Sequence, residues 1–146
     1  MYNHILQIFP KEIRPLFEKL LLGKKHLNEI RLRADKPILI LSGDREYFLK
    51  EQGEITENLT FARCLKTEEL EKIIQHMCHY SLYAFEEEIK QGYITIAGGH
   101  RVGMVGQVVA EDRGRIRTMK YIRGINIRIA HEIKGVAMDI LPLLYE

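Results

Sequence analysis

The chain has 146 residues, with 22 Lys and Arg against 20 Asp and Glu, a formal charge of +2, 46% hydrophobic and 29% charged residues. That balance describes one ordinary globular domain, able to bury about two-thirds of its unfolded surface, and its net charge forces no partner on it. No apolar run approaches the roughly 20 residues of a membrane span, the N-terminus lacks the basic start and apolar core of a signal peptide, and two cysteines, Cys64 and Cys78, are too few for a disulfide framework and suit a reducing cytosol.

In chain order, residues 10–22 predict a short helix, with Pro10 or Pro15 at its start, Gly23 as its stop and Ile13, Leu16, Phe17 and Leu20 as its stripe. Three strands follow as a meander, 29–33, 38–41 and 46–49, with turns at 34–37 and 42–45. In the first, Ile30 and Leu32 face one way and Glu29, Arg31 and Arg33 the other, as in a sheet with one wet face. Residues 50–66 read as a polar connection. Thr67 then reads as the N-cap of a helix, with Glu68 and Glu69 at the positive end of its dipole and Leu70, Ile73, Ile74, Met77 and Cys78 as its buried stripe.

A second central helix is expected over 82–90, ending at Gly92. Residues 93–96 and 101–109 form a hairpin about 97–100, whose glycines supply positive φ. Gly103 and Gly106 would weaken the second strand unless a bulge or a closely approaching backbone needs them. Further strands are expected over 115–119 and 125–130, and a helix over 136–144. The fold class is therefore α+β, antiparallel sheets with packed helices. Charge is split along the chain: residues 46–90 carry ten acidic groups against five basic, a balance of −5, and residues 101–134 carry eight basic against three acidic, a balance of +5.

No catalytic constellation is legible. The run Gly98-Gly99-His100-Arg101-Val102-Gly103 looks like a phosphate loop, but Met104 follows, and no Gly-Lys-Ser/Thr occurs in the chain to hold a terminal phosphate and Mg²⁺. His76, Cys78 and His79, with Cys64 fourteen residues before Cys78, lack the spacing of a zinc site, so no metal is expected. Glu86, Glu87 and Glu88 point about 100° apart on a helix and read as a solvated face. The arginines say more. Ile125, Ile127 and Ile129 share one face of their strand and leave Asn126 and Arg128 on the other; Arg115 and Arg117 share a face, and Arg101 opens the strand after the hairpin turn. Arginines on the open face of one sheet match phosphate oxygens, although plain solvation of that face accounts for them as well. A nucleic-acid-binding module using the basic half is the alternative of a different class, disfavoured by 8% aromatics, no tryptophan and no aromatic strand pattern.

Residues 29–33, 80–88, 91–104, 125–130 and 141–145 together resemble the stage III sporulation protein AA family, with Gly-Gly-His-Arg-Val-Gly at 98–103 and Asn-Ile-Arg-Ile-Ala at 126–130 the most specific runs. The resemblance implies an ATPase of endospore-forming bacteria, similar to secretion and type IV pilus ATPases that form hexameric rings. It also implies that residues 1–146 are the N-terminal, PAS-like, non-catalytic domain, with the nucleotide core expected after the end of this chain. ATP and Mg would belong to that core. The implied partners are that core, further copies of the chain in a ring, and membrane-embedded components of a mother cell–forespore channel. The implied location is the mother-cell cytoplasm, peripheral to the forespore-facing membrane. In those relatives the corresponding domain lends arginines to nucleotide phosphates, and the matching positions here are Arg101 and Arg128. Gly103 and Gly106 depart from the larger residues of the relatives.

Overall fold

The structure, a computed structural model, describes residues 3–23, 26–79, 92–106 and 122–131. A short helix α1 (Asn3–Leu6) leads into α2 (Arg14–Gly23). α2 starts four residues later than its apolar stripe suggests, because residues 10–13 make a turn in which the N–H groups of Ile13 and Arg14 both bond to the Pro10 carbonyl, at 3.1 and 3.0 Å. Pro15 falls in the first turn, where its missing N–H removes no helix bond. Ile13, Phe17 and Leu20 are buried as the period requires, and the Phe17 ring stacks on Phe9 at 4.0 Å between centroids.

The meander forms as expected. β1 (Leu27–Arg33) pairs with β3 (Leu39–Ser42), β3 with β4 (Arg45–Leu49), and β4 with the short β5 (Ile55–Thr56). Between β1 and β3, β2 (Lys36–Pro37) leaves the sheet to make a two-stranded ribbon with β6 (Cys64–Leu65). Residues 50–66 are thus more ordered than their composition suggests: β5, a 3₁₀ turn at Leu59–Phe61 capped by the Asn58 side chain, and β6 all lie there. Its order comes from the Asn58 cap, the short pairing of β5 with β4 and the pairing of β6 with the distant β2, none of which leaves a hydrophobic period in the segment itself.

α3 (Thr67–His79) carries the expected stripe, with Leu70, Ile73, Ile74 and Met77 all buried. Its N-terminus is capped differently. The Thr67 hydroxyl donates to Asp35 at 2.8 Å, and it is Glu69 that reaches back to accept the Lys66 N–H at 3.0 Å. This is half of a capping box, with Lys66 in the cap position.

After the hairpin strands β7 (Tyr93–Thr95) and β8 (Arg101–Gly106), β9 (Ile122–Arg128) completes a seven-stranded sheet of order β5-β4-β3-β1-β9-β8-β7, in which every pairing is antiparallel. Gly98 and Gly99 take φ of +90° and +83°, as the hairpin turn demands. Gly106 lies at a bulge, where the β8–β9 register shifts. Gly103, in contrast, answers to no close packing: a Cβ built there meets no described atom within 4 Å. β9 begins at Ile122, three residues ahead of its apolar alternation.

The sheet centre is β1 against β9, strands almost a hundred residues apart in sequence. One face of that centre, with Ile30, Leu32, Ile125 and Ile127, belongs to a single apolar cluster with Phe9, Phe17, Leu20 and the α3 stripe. No described helix is long and apolar enough to cross a membrane. The expected helices at 82–90 and 136–144, the strand at 115–119, and with them Glu86, Glu87, Glu88, Arg115 and Arg117, lie outside the described residues.

Candidate functional site

The inward isoleucines of β9 fix what its other face presents. Ile125, Ile127 and Ile129 are all buried, so Asn126 and Arg128 point away from the core. The register does the rest. Arg128 stands opposite Glu29 on β1 and opposite Arg101 on β8, which makes one cross-strand row of Glu29, Arg128 and Arg101. In the next row Arg31, Asn126, Gly103 and Tyr93 are aligned. Both arginines singled out from the sequence therefore meet as direct neighbours, with Cβ atoms about 5 Å apart in such a pair.

Glu29 organises the row. Its side chain is only 8% exposed, and it pairs through Oε2 with Arg31 Nε and through Oε1 with Arg128 Nε at 3.5 Å. A buried carboxylate is tolerable only when paired in this way. Arg128 itself is 73% exposed, so its share of that pairing contributes little to stability. Arg101 lies 5.7 Å from the centre of the Tyr93 ring, in a cation–π contact.

Arg33 follows Arg31 on the same face and behaves differently. Its Nη1 donates to the carbonyls of Leu32 at 3.0 Å and Ile125 at 3.3 Å. It lies over Gly124, where any Cβ would come within 2.6 Å of both the Arg33 side chain and the Leu32 carbonyl, so a glycine is required. Burial lowers the Arg33 pKa, and Arg31 lowers it further against the opposing pull of Glu29. Arg33 is thus a structural strut, and Arg31, Arg101 and Arg128 are the outward charges.

A cavity of about 470 Å³ adjoins the row, lined by Glu29, Arg128, Leu41, Asp44, Arg45 and Glu46. Just before β8, next to Arg101, His100 is buried in the hairpin turn, and its Nδ1 accepts the Ala130 N–H at 3.0 Å. Burial, then the neighbouring His4 and His131, hold its pKa below the ordinary value.

Sequence reasoning picked out Arg101 and Arg128 and missed Glu29 and Arg31 as their companions. The available signal was the alternation Glu29-x-Arg31, but nothing local says which distant strand lies alongside it. Of the four residues weighed for metal, Cys64 is exposed on β6 and His76 lies on α3, away from the row; the Cys78 and His79 side chains lie outside the described residues. No group of three His, Cys, Asp or Glu suited to a metal ion occurs among the described residues.

The family described as "Sporulation stage III, protein AA" matches residues 1–146, and the chain belongs to that family. It is 30% identical over 145 residues to Stage III sporulation protein AA of Bacillus subtilis (strain 168), which covers 99% of this chain and 43% of that relative. The chain thus spans less than half the length of the relative it matches. No solved structure matches it.

Proposed function

We propose that this chain is the non-catalytic N-terminal domain of a sporulation ATPase, coupling a nucleotide core to the assembly of a ring that energises a channel or secretion-like complex between mother cell and forespore. Family membership supports the role in sporulation. The share of the relative that lies beyond the match leaves room for a core carrying the ATP and Mg chemistry. The domain acts from the mother-cell cytoplasm, with its own core, sister copies in a hexameric ring and membrane-embedded channel components as partners, in a PAS-like role.

The observation that carries the coupling is the row itself. Arg101 and Arg128 stand side by side on a face backed by three buried isoleucines, where a second surface bearing phosphate can reach both. Arg128→Ala in the longer protein should lower the ATP turnover rate while shifting the melting temperature little. Turnover equal to the parent, or a variant that no longer folds, would count against the coupling role.

A further inference from the structure

Three outward guanidiniums, Arg31, Arg101 and Arg128, gather on this face around a single carboxylate that contacts two of them. Glu29 engages two of them at the inner nitrogen, Arg31 Nε and Arg128 Nε. Arg31, hydrogen-bonded to Glu29 through Nε, has its guanidinium oriented with both terminal nitrogens available to donate; Arg128 is drawn toward the same carboxylate by a looser ion pair, and no described residue bonds the Nη atoms of either. Arg101 faces Arg128 directly, an unfavourable pairing of like charges that no described carboxylate near Arg101 offsets. In the next row, beside Arg101 on the same strand, the sheet surface is low: Gly103 contributes no side chain, and a Cβ built there meets no described atom within 4 Å. The adjoining cavity also holds Asp44 and Glu46, with Arg45 paired to Glu57, so the cations without a carboxylate of their own lie on the Arg31–Arg101 side of the row.

We propose that Glu29 is the positioning residue of a polyphosphate-binding platform, and that Arg31 is its third arginine beside Arg101 and Arg128. The inference rests on the reading that Arg101 and Arg128 meet nucleotide phosphate, and deepens it by naming the carboxylate that draws Arg128 and Arg31 into place. Arg33 shows the contrast on the same strand, since its donors are spent on backbone carbonyls and it has none aimed outward through Nη1.

The test is titration calorimetry of the 146-residue chain with sodium tripolyphosphate at low salt, with adenosine as the uncharged comparison. Tripolyphosphate should bind saturably and adenosine should not. Arg31→Ala should weaken the binding about fivefold, as expected for one partly screened charge-assisted contact. Glu29→Gln separates positioning from plain charge. Removing a carboxylate would by itself strengthen anion binding, whereas loss of aim should weaken it, and Glu29→Asp should restore part of the loss. Absence of tripolyphosphate binding, tighter binding by a folded Glu29→Gln chain, or unchanged binding by Arg31→Ala would overturn the proposal. Should Glu29→Gln lose its melting transition, Arg31→Ala alone decides. Weakening by Arg101→Ala and Arg128→Ala without weakening by the Arg31 and Glu29 variants would remove this inference only; no effect of any of the four would remove the phosphate reading of the face with it.

Discussion

The two sides of the sheet use the same residue types to opposite ends. Around β4, β5 and α3, cations are matched: Arg45 with Glu57 at 3.6 Å, Lys19 with Glu54 at 3.3 Å, and Arg63 with both Glu51 at 3.6 Å and Glu69 at 2.5 Å. Around β1, β9 and β8, Arg31 and Arg128 share Glu29, and Arg101 stands beside Arg128 with no described carboxylate paired to it. On the first side each of these cations has a carboxylate partner and the surplus is acidic; on the second the surplus is cationic. That surplus distinguishes a surface with something to bind from one that is merely solvated.

The comparison breaks most easily at Arg63. Its side chain is only 16% exposed and joins the strand before α3 to the carboxylate that caps that helix. Arg63→Ala should cost about 2 kcal/mol, the usual range for a largely buried, charge-assisted hydrogen bond. Denaturant unfolding would measure it, and a loss as small as that of an exposed arginine would erase the distinction between the two sides. The Glu69 carboxyl belongs to the same arrangement: burial pushes its pKa up, but the bonds from Arg63 and the Lys66 N–H outweigh that and hold it below the usual value.

On the arginine side, the group whose titration should bear on stability is His100. The folded state favours its neutral ring, because burial, His4 and His131 depress its pKa below 6.5. The unfolded chain then takes up a proton first as pH falls. The stabilisation is complete above about pH 6.5 and is lost as pH falls through the lowered folded value. His100→Asn keeps an acceptor for the Ala130 N–H without titrating, so it should flatten the dependence of melting temperature on pH in that window. An unchanged slope would place the dependence on other groups.

Much of this was legible in the sequence, and the limits are physical. Alternation of Ile30 and Leu32 with charged neighbours located β1, the run Ile125-Asn-Ile-Arg-Ile129 located β9 and its outward arginine, and glycines 98 and 99 located the hairpin turn. Each is a local period or a local φ requirement. The pairing of β1 with β9 is neither. It is set by burial of both apolar faces in one core, and it alone turns Glu29 from a wet-face residue into a buried carboxylate. The cap of α3 was misread for a similar reason: Thr67 has the right chemistry for an N-cap, but Asp35, from the turn after β1, takes its hydroxyl. Resemblance supplied Arg101 and Arg128 as a pair; only the register shows that they touch the same row.

The smallest effect expected is also the most direct test of surplus charge on this face. A double-mutant cycle with Arg101→Gln and Arg128→Gln isolates their mutual term from the Tyr93 contact of one and the Glu29 contact of the other. The two arginines should show an unfavourable coupling of about 0.2–1 kcal/mol at low salt that fades as salt is added. A coupling of zero at low salt, or a favourable one, would contradict it and would mean that the row is already neutralised within the fold.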